Sequence, residues 1–163
     1  MIGVSICNLE ESTVRSQFKK AKLLKGKKVH WYDMDSREHE KSISLINGLK
    51  LHHVSISAEP LLKTMRPERA RRKCLETLLP ILEIQYGVTH LFMESRNVKQ
   101  DHNELRFIQT LHAKQFVRAL RYELLPGGSD SRLWLPDQIL GASEGCESER
   151  LVVNDLERFS ISL

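Results

Sequence analysis

The chain has 163 residues, enough for one domain with a sizeable core and too few for two ordinary ones. Its 40% apolar and 28% charged content is that of a globular protein rather than a disordered or fibrous one, and no apolar run approaches the roughly 18 residues that span a membrane. The net charge of +4 and pI near 9.0 allow a polyanionic partner without requiring one.

The opening "IGVSIC" is short, β-branched and apolar, as a buried strand would be. Asn8 and Glu11 have capping-box spacing, and Val14, Phe18 and Ala21 share a face, so a helix is expected to start after Asn8. The N-terminal stretch has neither the positive flank nor the long apolar segment of a signal peptide, and a cytoplasmic location is expected. A basic run follows in "FKKAKLLKGKK". "KVHWYDMD" then carries a brief extended piece into a second helix, boxed by Asp35 and Glu38, lined by Ile43 and Ile46 and stopped at Gly48.

"LHHVSISA" alternates as a strand does, and Pro60 ends it. In "RPERARRKCLETLLPILEIQYG", Leu75, Leu78, Leu79 and Leu82 make the clearest helical stripe in the chain. Pro67 suits its first turn, and Pro80 predicts a kink. "VTHLFMES" is apolar on both faces and reads as a central strand ending in Glu94. The next helix is expected to begin at Asp101, boxed by Glu104, with Leu105, Ile108, Leu111 and His112 turned inward. Residues 115–125 read as extended, "LWLPDQILGA" as a helix and "RFSISL" as a short edge strand. Alternation of strand and helix predicts an α/β layered sheet in a single domain over residues 1–163.

Three cysteines, Cys7, Cys74 and Cys146, lack metal-ligand spacing, and an odd number cannot all pair within one chain, so reduced thiols are expected. The seven histidines form no HExxH or HxH pattern, and there is no GxGxxG, phosphate loop or GxSxG. The remaining chemistry rests on carboxylates and on basic runs. Glu94 stands where open α/β sheets form their sites, outside the carboxyl end of a strand. There it either pairs at the rim, with Arg96 or the backbone, or binds a divalent metal. Asp137, at the head of the late helix beside Trp134, either complements the helix dipole or serves as a second ligand. Asp35 and Asp101 are explained as caps. His30, Trp31, Asp33 and Asp35 either line a pocket or surround a Trp31 core anchor. Arg66, Arg69, Arg72 and Lys73 are either a solvated helix face or a phosphate-binding surface.

Taken in order, "KVHWYDMD", "ERARRKCLETLLP", "THLFMESR", a following Asp, "LRYELLPG" and "LWLPDQILGA" resemble an uncharacterised bacterial family of RNase H-like domains, related to proteins with an N-terminal Asp-Glu-Ser-Gly motif; the match spans most of residues 29–142. The resemblance implies an RNase H-like mixed central sheet flanked by helices. It also implies a metal-dependent nuclease in which Glu94 and Asp137, with Asp101 as auxiliary, hold Mg²⁺ or Mn²⁺ for attack on nucleic-acid phosphodiesters. The strand that carries the first acid in those relatives has no counterpart before "MIGVSIC", as in an N-terminally shortened form. This departure opens an alternative: a noncatalytic module binding nucleic acid or protein, with a sheet edge exposed to a partner or a second copy of the chain. An enzyme acting on a small phosphorylated molecule is a third possibility.

Overall fold

A computed structural model describes residues 1–59, 66–144 and 151–162. Pro60 and Cys146 lie outside the described residues. The elements run β1 (Ile2–Ile6), α1 (Glu11–Lys20), α2 (Ser36–Gly48), β2 (His52–Glu59), α3 (Pro67–Ile84), β3 (His90–Glu94), α4 (Val98–Ala113), β4 (Arg121–Leu125), α5 (Trp134–Glu144) and β5 (Leu156–Ser162). Short 3-10 turns occupy Trp31–Asp33 and Ser131–Leu133. The protein is α/β, with β1-β2-β5 in one sheet and β3-β4 in another. Strand β5, which contains the described part of "RFSISL", is at a sheet edge as expected. None of the described helices is long and apolar enough to cross a membrane.

The chain divides into two compact units. The first gathers Ile56–Pro126 with a few residues from each chain end, and the second comprises Gly3–Ser55 and Gly127–Arg158. In the second unit, Val14 and Phe18 of α1, Ile43 and Ile46 of α2, and Trp134, Leu135 and Ile139 of α5 form one buried cluster. Trp134 is its largest member. Its ring meets Phe18 edge-on at 5.6 Å, and its Nε1–H donates to the Gly127 carbonyl at 2.8 Å, so an indole can be buried without stranding its polar atom. The capping box of α2 is formed: Glu38 N–H donates to Asp35 Oδ1 at 2.9 Å, and Asp35 N–H to Glu38 Oε2 at 3.1 Å.

The expected box at Asn8 is not formed. Helix α1 starts at Glu11 with Glu10 as its N-cap. Glu11 is engaged elsewhere, accepting from Arg15 Nε at 2.6 Å and from Ser131 N–H at 3.1 Å, and it is unavailable to reach back.

In the first unit the leucine stripe of α3 is buried as its spacing predicts. The helix continues past Pro80 to Ile84. Proline there forgoes one hydrogen bond close to the helix end, where little of the ladder remains to be lost. Strand β3 pairs in parallel with β4, from His90 opposite Arg121 to Glu94 opposite Leu125. Leu91 and Met93 are buried whereas His90, Phe92 and Glu94 are exposed, so the strand is covered on one face and not on two. Only residues 121–125 of the stretch expected to be extended form a strand. Before it, the N–H groups of Arg118, Ala119 and Leu120 all donate to the Glu83 carboxylate, which takes them out of any ladder. These bonds, Arg118's first, hold the Glu83 carboxyl below its ordinary value against the opposing effect of burial.

His53 of β2 is 1% exposed, and its Nδ1 is hydrogen-bonded to Ser5 Oγ at 3.0 Å. Burial pushes its pKa down from 6.5 to about 4, with His52 adding to the effect. The native state therefore holds a neutral ring that the unfolded chain protonates first. Above the unfolded value this costs nothing. Stability then falls as pH drops from 6.5 through about 4, by roughly 3 kcal/mol at full extent. Chemical denaturation of the wild type across this window is expected to show that decline, and His53→Gln is expected to remove its component of the slope.

Candidate functional site

At the carboxyl end of β3, in the first unit, α3 and α4 lie side by side and run in the same direction. Three contacts establish this: Gln100 Nε2 donates to Glu68 Oε1 at 3.3 Å, Arg71 meets Glu104, and the Arg72 guanidinium carbon lies 5.7 Å from the Phe107 ring centre. Both helix N-termini therefore open at one end, where β3 delivers Glu94, which is exposed. Glu104 ties this end together. Its side chain is 5% exposed and accepts from Arg71 through Nε at 2.6 Å and NH2 at 3.0 Å, and from Arg96 NH2 at 2.8 Å. Arg96 also donates through NH1 to Glu68 Oε1 at 2.6 Å, and this bond above all holds the Glu68 carboxyl below its ordinary value.

Helix α4 begins at Val98 and not at Asp101. Asn97 is the N-cap, its side chain accepting from Gln100 N–H at 3.0 Å. Asp101 lies in the first turn and accepts the Arg96 N–H at 2.8 Å, while Glu104 is drawn into the core by two guanidiniums. The spacing of Asp101 and Glu104 fits a box, but each has a stronger donor elsewhere.

Arg66, Arg69, Arg72 and Lys73 are all exposed, and their spacing of three and four places them on one side of α3. Among the described residues, Arg66 and Arg69 enter no ion pair. Lys73 pairs with Glu76 at 2.7 Å. Arg71 interrupts the row in sequence but not in space, being four residues before Leu75 and turned with it toward the interior. That spacing is the signal that separates a structural arginine from its exposed neighbours. The helix N-terminus adds its partial positive charge to the same end.

Asp137 belongs to the second unit, in the first turn of α5. Its Oδ2 accepts the Trp31 N–H at 2.9 Å, lies 3.4 Å from His30 Nδ1, and is within 3.4 Å of Gln138 Nε2. Trp31 stacks on His39 with ring centres 3.7 Å apart and packs against the core cluster, as a core anchor would. His39 Nε2 lies 2.9 Å from the Trp31 carbonyl. A Cβ at Gly141 would run into the Trp31 ring, so the turn approaches α5 where only glycine leaves room. Of the four residues in "KVHWYDMD" considered as pocket lining, His30 and Asp33 do line a cavity, Asp35 caps α2, and Trp31 anchors the turn.

Asp101 and Asp137 each accept a backbone N–H, and among the described residues no group of three or more His, Cys, Asp or Glu side chains is placed to hold a metal ion. Glu94 and Asp101 belong to the first unit and Asp137 to the second. No protein-family model, curated protein or solved structure matches the chain.

Glu104→Gln is expected to destabilise the protein by about 2–3 kcal/mol, below the usual cost of breaking a fully buried pair because both arginines keep some contact with water. Urea denaturation checks it. Gly141→Ala is expected to cost about 1–3 kcal/mol by overpacking and to displace Trp31, read as a lower Tm together with a changed near-ultraviolet dichroism band.

Proposed function

We propose that this chain is a noncatalytic nucleic-acid-binding module of RNase H-like descent, which contacts phosphates through Arg66, Arg69, Arg72 and Lys73. The observation that supports this reading is the exposed cationic row on α3, where two arginines have no acidic partner among the described residues and the helix N-terminus reinforces the charge. The RNase H-like assignment rests on the order of motifs between residues 29 and 142. A nuclease would instead need Glu94, Asp101 and Asp137 as ligands of Mg²⁺ or Mn²⁺. Two of these three carboxylates each accept a backbone amide through one oxygen, a structural role that supports the reading of binding over cleavage.

A surface of this kind reads phosphates rather than bases, so affinity should depend on salt far more than on sequence. Fluorescence anisotropy with single- and double-stranded RNA and DNA, in the presence of a chelator, is the test. Binding is expected without cleavage. The combined variant Arg66→Ala/Arg69→Ala/Arg72→Ala is expected to flatten the salt dependence by about two to three units of log–log slope and to weaken binding about tenfold or more at low salt. No binding, or equal binding by the variant, would refute the proposal. Cleavage that needs Mg²⁺ or Mn²⁺ and disappears in Glu94→Ala would support the nuclease reading instead.

A further inference from the structure

Between α1 and α2, in the second unit, the chain folds around a cavity of about 360 Å³ bounded by segments of residues 23–34. This is at the small end of the range for ligand sites, large enough for a pentose phosphate. Its apolar lining is formed by Leu23, Val29 and Met34, the first two buried. Its polar lining is strongly one-sided: Lys25, Lys27, Lys28 and His30 against the single carboxylate of Asp33. Lys25 is paired with Glu38 at 2.5 Å, and His30 is backed by Asp137 at 3.4 Å. Lys27 makes no ion pair among the described residues. Four cationic or ionisable donors drawn from six consecutive residues around one hollow make a setting for a dianion. A carboxylate in the same lining is a poor neighbour for phosphate itself but a good acceptor for hydroxyl groups attached to it.

We propose that this cavity binds a phosphomonoester carrying vicinal hydroxyls, of the pentose phosphate type, with Lys27 and Lys28 on the phosphate and Asp33 on the hydroxyls. His30, whose Nδ1 lies 3.4 Å from Asp137 Oδ2 without a hydrogen bond, is a further polar group of the lining. The ligand would be a free sugar phosphate or a ribonucleoside 5′-monophosphate, both of which carry a phosphomonoester and a vicinal hydroxyl pair. The site is independent of the α3 surface.

The experiment is calorimetric titration of the full chain with inorganic phosphate, ribose 5-phosphate and ribose. Ribose 5-phosphate is expected to bind more tightly than phosphate, and ribose alone not to bind. Lys27→Ala/Lys28→Ala, checked for folding by circular dichroism, is expected to lose about tenfold or more in affinity for ribose 5-phosphate. Asp33→Asn is expected to reduce ribose 5-phosphate binding to the level of phosphate. Arg66→Ala/Arg69→Ala/Arg72→Ala should leave these titrations unchanged, which separates failure of this site from failure of the α3 surface. With ribose 5-phosphate bound, displacement by a ribonucleoside 5′-monophosphate but not by the unphosphorylated ribonucleoside identifies a mononucleotide as the source. Displacement by neither identifies a free sugar phosphate. Absence of ribose 5-phosphate binding at millimolar concentration, equal binding of phosphate, or unchanged binding by a folded lysine variant would overturn the assignment.

Discussion

The buried carboxylate of Glu104 is the constraint from which the first unit's surface follows. A charge with 5% exposure is tolerable only if donors surround it, and here two guanidiniums supply three hydrogen bonds. Arg71 comes from α3, Arg96 from the loop after β3, and Glu104 from α4. This side chain thus joins the buried leucine stripe in fixing the rotation of α3 about its axis. Because Arg71 must face inward with Leu75, residues 66, 69, 72 and 73 must face outward. The cationic row is therefore held in place by the fold, beyond being a result of composition.

Carboxylates elsewhere do comparable work by accepting backbone N–H groups that secondary structure leaves unpaired. Glu83 takes three consecutive amides before β4, Asp101 takes that of Arg96, and Asp137 takes that of Trp31. Each bond fixes a loop that has no ladder of its own, and unpaired amides at such sites would be costly. Acids near strand ends attract a catalytic interpretation in an α/β protein. Here hydrogen bonding supplies a structural reason for Asp101 and Asp137, and the proposed partner is read instead from the exposed cations of α3.

Much of the fold was legible because periodicity reports burial directly. The leucines of α3 and the Asp35–Glu38 box are where their spacing puts them. What failed depended on competition between donors far apart in the chain. The Asn8–Glu11 box was lost to Arg15 and Ser131, and the second of these is 120 residues away from Glu11. The Asp101–Glu104 box was lost to Arg96 and Arg71. "HLFME" reads as apolar on both faces, yet Phe92 is 37% exposed, since hydropathy alone does not say which face a neighbour covers. The basic row and the acids were visible as residues. The Glu104 node was missed because a capping-box position gave it a simpler explanation, although Arg71, in step with Leu75, marked a cation turned toward the core.

The central claim is that cations on α3 meet the partner while the acids serve the fold. Amide chemical-shift mapping by NMR during titration with a single-stranded oligonucleotide, in chelator, tests this most directly. The account predicts shifts concentrated at Arg66, Arg69, Arg72 and Lys73, with Glu94, Asp101 and Asp137 little affected. Shifts that appear only after Mg²⁺ or Mn²⁺ is restored, centred on the three acids, would contradict it.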